Sequence, residues 1–238
     1  MNFKFLPNLI TLFNLFLGCI ATLLLIENNL EVKNVFIITV ICLILDYLDG
    51  YIARKLNAKS DVGIQLDSLA DLVSFGLVPG ILLYNMINEA PSSSVGSISS
   101  SFYPFLGFII TLSSAYRLAR YNTRKSTSKF FKGLPTPANA VLIFSFAIIS
   151  AEGNSFSNII LDYNVLMLIV IVSSILLVSN LKLLNFKFKS LKFKGNRRRF
   201  FMIFISIPAL IIFGIYAIPL ILSVYILISI FTFYKLKN

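Results

Sequence analysis

The sequence predicts an all-α bundle of about eight membrane-spanning helices, and three observations carry that prediction. Of 238 residues, 57% are hydrophobic and 13% charged, against about 45–50% and about 25% in soluble domains. Mean hydropathy is +0.86, and runs of Leu, Ile, Val and Phe recur with no intervening polar stretch long enough to fold alone. The basic residues fall almost entirely in alternate connections between these runs, as expected of a chain that crosses a bilayer repeatedly.

A membrane helix needs about 20 mainly apolar residues, which places spans at 9–27, 35–54, 64–86, 102–122, 138–152, 162–181, 200–216 and 218–234. The first run exceeds a signal-peptide core of about 7–15 residues and ends in Ile26-Glu27-Asn28-Asn29, not a small-residue cleavage site. It is therefore read as a retained helix. The last two spans form one apolar stretch containing Pro208, Gly214 and Pro219. It is divided into a hairpin near Ala217-Ile218-Pro219; one kinked helix is the alternative. The spans imply three parts: a six-helix unit over 1–181, a basic interfacial connector over 182–199, and a C-terminal hairpin over 200–238. The Ser-rich segment 91–101 reads as an outward-facing linker.

Lys4 and the basic residues of 54–59, 117–132, 182–199 and 235–237 make up 20 of the 21 Lys and Arg; only Lys33 falls among the alternate loops. The positive-inside rule puts that side, with both termini, in the cytoplasm of a multi-pass cell membrane protein. The net charge of +11 thus reads as attraction to anionic lipid beside helix ends, not as nucleic-acid binding, since no recognition fold accompanies it. Cys19 and Cys42 lie inside apolar runs and form no ligand spacing or disulfide framework. The chain has no histidine, which excludes His-ligated zinc, Ser-His-Asp triads and histidine bases.

Five of the ten acidic residues lie in outward loops; the others are Asp46, Asp49, Asp61, Asp67 and Asp71. Carboxylates at membrane depth are costly and functional by default. Asp46 and Asp49 are i, i+3 and share one helical face; Asp67 and Asp71 are i, i+4 and share another. The short polar connection 55–62 makes the two helices antiparallel neighbours, so both pairs can face each other near the cytoplasmic end. Four such carboxylates repel unless cations sit among them. All-oxygen ligation suits Mg²⁺ or Mn²⁺, and two such ions can clamp a pyrophosphate during phosphoryl transfer. Helix-end salt bridges to Arg54, Lys55 and Lys59 are the simpler alternative, but two facing carboxylate pairs exceed what that needs. Asp61, out of phase in the loop, fits the simpler reading. Gly50, Ala53 and Gly63 allow either backbone approach by a phosphate ligand or close helix packing.

The stretch Asp46-Tyr47-Leu48-Asp49-Gly50-Tyr51-Ile52-Ala53-Arg54, continued by Gly63, Asp67 and Asp71, resembles the signature of the CDP-alcohol phosphotransferases at every fixed position. The resemblance implies displacement of CMP from a CDP-linked lipid by an alcohol. Asp46, Asp49, Asp67 and Asp71 would be ligands of two divalent cations, and Asp71 would also be the general base. Ligation lowers a carboxylate's basicity, so that second role requires Asp71 to be only loosely held by metal. Asp46, Gly50, Ala53, Arg54 and Gly63 would line the CDP site. The resemblance also implies a homodimer.

Three further stretches are similar to the bacterial phosphatidylserine synthase family: Pro7-Asn8 through Thr11, Asn14 and Gly18; Asp67-Ser68 through Asp71, Ser74 and Gly76; and Tyr116-Arg117 through Arg120 and Asn122, with Phe131-Lys132-Gly133-Leu134-Pro135-Thr136-Pro137. Together they cover about 5–140. They imply CDP-diacylglycerol as donor and L-serine as acceptor. Asn8 and Thr11 are candidate nucleotide contacts, with helix N-capping the alternative for Asn8. Arg117 and Arg120, i, i+3, either bind an acceptor carboxylate or phosphate or anchor the helix at the interface. Residues 131–137 either shape a substrate loop or end one helix and begin the next. Rival readings are the same chemistry with glycerol-3-phosphate or an inositol phosphate as acceptor, and a cation transporter. The clustering of aspartates at one membrane face argues against the transporter.

Overall fold

The computed structural model describes residues 5–27, 31–90, 102–123, 131–184 and 197–234. Helix α1 is Leu6–Glu27, α2 Val32–Lys55, α3 Asp61–Leu72 and α4 Val78–Glu89. A π turn, Val73–Leu77, joins α3 and α4 into one continuous helix. A 3₁₀ turn, Tyr103–Phe108, leads into α5, Ile109–Asn122. Then follow β1 Phe131–Lys132, α6 Thr136–Ser150, α7 Ser155–Ile160, α8 Tyr163–Val178 and β2 Lys182–Leu183. Helix α9 is Arg197–Phe213, and α10 is Ala217–Tyr234 after a 3₁₀ turn at Gly214–Tyr216. Counting α3–α4 as one rod and setting aside the short α7, the described residues hold eight rods, in agreement with the predicted spans.

Among the described residues, four stretches are long and apolar enough to cross a membrane: Leu6–Glu27, Val32–Lys55, Asp61–Glu89 and Phe200–Thr232, the last divided between α9 and α10. The pattern of burial shows how they pack. On α1 the buried residues are Pro7, Thr11, Asn14, Gly18, Ala21 and Leu25, a strict alternation of three- and four-residue steps that makes one stripe. Leu9, Leu12, Phe13, Phe16, Leu23 and Ile26 are exposed around it, the surface expected to face lipid. On α2 the corresponding stripe is Val35, Thr39 and Cys42, ending at Asp49, and α1 packs along it. The α3–α4 rod is the most enclosed of the four stretches. On α4, Val78 through Leu83 are buried without a break, so this helix forms the centre of the bundle. Its neighbours are α1, α5, α6 and α8. Ser60 caps α3 by accepting from the Gly63 N–H at 3.0 Å, satisfying one of the free donors of the first turn.

Three features depart from the expectation. The turn near 217–219 lies slightly earlier: Gly214 takes φ +55°, a left-handed conformation that ends α9. Pro219 instead sits in the first turn of α10, where it costs no hydrogen bond. The short α7 falls between the predicted spans 138–152 and 162–181; its Asn154–Ser157 capping box supplies the local hydrogen bonds for a six-residue helix. Residues 131–132 and 182–183 form a two-residue antiparallel ladder, a pairing between distant segments that no local pattern signals. Of the basic connector, 185–196 lie outside the described residues, as do the Ser-rich segment 91–101 and Lys4, Lys235 and Lys237.

The ladder fixes the entry to α6. Gly133 has φ +78° and donates to the Leu181 carbonyl at 2.9 Å, while Leu134 donates to that of Leu176 at 2.9 Å. A Cβ on Gly133 would stand 2.6 Å from the Leu177 carbonyl oxygen. Gly133→Ala is therefore expected to cost about 1–3 kcal/mol through backbone strain, before the steric conflict is counted. The measurement is a thermal-unfolding series in detergent. An unchanged midpoint would show that this contact does not constrain the fold.

Candidate active site

The buried stripe of α2 ends in carboxylates because Asp49 continues the seam that Val35, Thr39 and Cys42 begin, with Asp46 four residues after Cys42. Across the connection, α3 presents Asp67 and Asp71, the latter buried. Asp46, Asp49 and Asp67 each place a carboxylate oxygen within 4.8 Å of the others. At that separation, unit charges repel by roughly 3–4 kcal/mol per pair for an effective dielectric near 20. Three ionised carboxylates do not tolerate that convergence without a proton or cation among them. Three convergent, partly or wholly buried oxygen donors fit a hard divalent cation.

Asp71 is not part of that triplet. Its Oδ1 is buried and has no hydrogen-bond partner among the described residues. Its charged neighbours are Asp46, Asp67, Asp49 and Arg117. The four aspartates are thus brought together, but as three convergent carboxylates and one beside them. Asp61 is exposed in the first turn of α3, where a negative charge favours the helix dipole.

Helix α1 supplies the contact that orients the triplet. The Thr11 hydroxyl lies 2.5 Å from Asp49 Oδ2 and 3.0 Å from the Pro7 carbonyl oxygen. Its single proton is best used on the charged acceptor, which makes the stronger bond. Thr11 therefore meets a carboxylate, a partner that spacing along α1 did not reveal. Asn8 lies within the first turn of α1, past any N-cap position. A Cβ built on Gly63 would be 3.0 Å from Asn8 Oδ1, so Asn8 meets the start of α3. One turn deeper, Asn14 accepts from Ser74 of the π turn at 2.9 Å, linking α1 to the rod that carries Asp67 and Asp71.

The other candidates separate into two places. Ala53 and Arg54 line an open depression with Asn57 and Lys59. Spacing predicts Lys59 as a topological charge or a salt-bridge partner of the aspartates and Asn57 as part of the connection; a depression formed by a turn is not encoded in spacing. Asn57 makes that turn with φ +50°, which asparagine tolerates. Gly50 lies beside Arg54, a Cβ there being 3.4 Å from Nη1. The arginine pair of α5 divides. Arg117 is buried, its Nη1 donating to Thr136 Oγ1 at 3.4 Å and its Nε without a partner among the described residues. Arg120 donates to the Ser179 carbonyl at 3.1 Å and lies 5.9 Å from the centroid of the Tyr116 ring. Arg117 thus faces the aspartates, while Arg120 ties α5 to the end of α8.

Comparison with known proteins follows the same residues. The CDP-alcohol phosphatidyltransferase family matches residues 4–178. A Helicobacter pylori protein named CDP-diacylglycerol–serine O-phosphatidyltransferase is 30% identical over 231 residues, covering 94% of this chain and 89% of that protein. Proteins of the same name are 35% identical in Bacillus subtilis, over 60% of this chain and 76% of the relative, and 34% identical in Methanocaldococcus jannaschii, over 73% and 70%.

The Thr11 hydroxyl makes a direct prediction about the triplet. Thr11→Val keeps the shape of the side chain and removes the bond to Asp49. It is expected to weaken Mn²⁺ binding by about 10- to 100-fold, the usual effect of losing a partner that orients a ligand. Titration of purified protein with Mn²⁺, followed by the spin-resonance signal of the free ion, measures this. Unaltered affinity would mean that the bond does not orient the carboxylate for a cation.

Proposed function

The chain belongs to the CDP-alcohol phosphatidyltransferase family, and we propose that it transfers the phosphatidyl group of CDP-diacylglycerol to the hydroxyl of L-serine, releasing CMP. The observation that carries this reading is the carboxylate triplet with Asp71 held beside it. That site lies within the region matched by the family and by relatives named for this reaction. Asp46, Asp49 and Asp67, with Asp71 beside them, would hold two divalent cations, Mg²⁺ or Mn²⁺. When bound, such ions neutralise the pyrophosphate and the charge that develops during transfer.

The chain's own groups account for the remaining tasks. Asn8, Thr11, Gly50, Ala53, Arg54 and Gly63 border the nucleotide end, with Asp46 facing it; Arg54 and Lys59 set positive charge beside the diphosphate. The serine oxygen forms a bond to the β-phosphorus, and the bond from that phosphorus to the bridging oxygen breaks. CMP leaves with the electron pair, and the serine hydroxyl proton passes to Asp71. Its unpartnered oxygen and its place outside the triplet support that role, because a carboxylate spared tight ligation keeps its basicity. Arg117 faces the acceptor; Arg120, engaged with the Ser179 carbonyl, is the weaker candidate for the same task.

The distribution of basic residues supports a cytoplasmic site with both termini on that side. The extent of the family match supports the division into a catalytic unit over 1–181, a connector over 182–199 and a hairpin over 200–238. Two copies are proposed to associate, as the resemblance implies.

CMP release from CDP-diacylglycerol by the purified protein tests the assignment. Release is expected to require Mg²⁺ or Mn²⁺, to stop with EDTA and to depend on L-serine. Dependence on glycerol-3-phosphate or an inositol phosphate instead would move the chain to another acceptor. Asp71→Asn is expected to slow turnover by about 10²- to 10⁴-fold while Mn²⁺ still binds. Near-normal turnover in a folded Asp71→Asn protein would remove Asp71 as the base.

A further inference from the structure

Eight buried side-chain polar atoms have no hydrogen-bond partner among the described residues, and five of them are Asp71 Oδ1, Ser114 Oγ, Arg117 Nε, Asn139 Nδ2 and Asn139 Oδ1. Such atoms are rare in folded proteins, and each calls for an explanation. These five come from α3, α5 and α6. Ser114 and Arg117 are i, i+3 on α5; Thr136 and Asn139 are i, i+3 at the start of α6; both helices pack on the π turn that follows Asp71. A Cβ on Gly76 of the π turn would lie 3.0 Å from Ser114 Cβ. Arg117 joins the helices, donating to Thr136 and sensing the charge of Asp71.

From this arrangement, and resting on the reading of serine as acceptor, we infer that Ser114, Thr136 and Asn139 complete with Arg117 an acceptor subsite that recognises the amino-acid head group. The chemistry is complementary group by group. The Arg117 fork makes one long bond to a neutral oxygen and keeps Nε free for a carboxylate. The Asn139 amide, 0% exposed, offers one unpaired acceptor and an unpaired donor group. It therefore suits an ammonium beside a carboxylate. Ser114 adds a hydroxyl that both donates and accepts. Asp71 Oδ1 is left for the proton of the attacking hydroxyl. An acceptor carrying a phosphate and no ammonium meets the Asn139 oxygen with a neutral hydroxyl at best, a weaker donor than an ammonium, and sets a second negative charge beside Asp71.

None of these three residues lies in the aspartate signature. Rigidity comes from the ladder: Gly133 and Leu134 are bonded to the carbonyls of Leu181 and Leu176, which fixes where α6 starts and so where Thr136 and Asn139 stand.

The test uses the full-length protein in detergent with Mn²⁺ and CDP-diacylglycerol, following CMP release as L-serine is varied and then as the lipid is varied. Asn139→Ala and Ser114→Ala are expected to raise the KM for L-serine by roughly 10- to 100-fold, the effect of removing one partner of a buried polar group, while the KM for CDP-diacylglycerol stays within about twofold. Ser114→Ala removes a single oxygen and keeps the folded protein measurable if Asn139→Ala does not. Equilibrium dialysis with labelled L-serine is expected to show the same loss without turnover. Serine KM and serine binding both unchanged in Ser114→Ala and in whichever Asn139 variant folds would overturn the subsite. So would a defect confined to the lipid KM. If the unsubstituted protein shows no serine-dependent release, the acceptor assignment itself fails, a result distinct from these.

Discussion

Negative charges held close together in a low-dielectric helix bundle repel one another, and the cytoplasmic-end architecture proposed for this protein is organised around that repulsion. Asp46, Asp49 and Asp67 converge within 4.8 Å, a spacing that carboxylates do not adopt for packing alone. What holds them is the seam between α1 and α2 and the rod formed by α3 and α4. Thr11 satisfies one oxygen of Asp49, so the carboxylate is oriented before any cation arrives. The cost of collecting these charges is the physical reason to regard the cluster as a metal site and not as an ion-pair network.

The same repulsion gives meaning to the division between the triplet and Asp71. A carboxylate that binds a cation tightly is a poor base, and a carboxylate alone in an apolar bundle is hard to keep ionised. Asp71 lies beside the triplet and outside it. Its charged neighbours are the other three aspartates and Arg117. Its helix continues into the π turn, whose Ser74 is bonded to Asn14. A π turn often marks a functional position in a helix. Here it lets the carboxylate-bearing α3 and the thoroughly buried α4 belong to one rod with different faces turned inward.

Much of this was legible in the chain. The eight rods, the antiparallel pairing of the second and third, and the facing aspartate pairs follow from apolar run length and from i, i+3 and i, i+4 spacing. Those periodicities belong to a single helix and need no partner to define them. The turn at Gly214 was misplaced by a few residues because Pro219 suggests a break as strongly as glycine does; a proline in the first turn of a helix is instead well accommodated. The ladder of 131–132 with 182–183 was invisible because it joins segments some fifty residues apart by backbone bonds alone.

Sequence by itself determined that the chain is a membrane helix bundle, that its carboxylates collect at one end, and that their spacing matches a family of phosphoryl-group transferases. Those conclusions depend on composition and on intervals within single elements. The tertiary structure decided what each side chain meets: Thr11 an aspartate, Asn8 the start of α3, Arg117 the buried polar cluster, Arg120 a backbone carbonyl. It also decided that Asp71 stands beside the triplet and not within it. The physical reason is that spacing determines the face of a helix a residue occupies. The rotation of each helix about its own axis, which selects the partner, is set only when all the helices pack together.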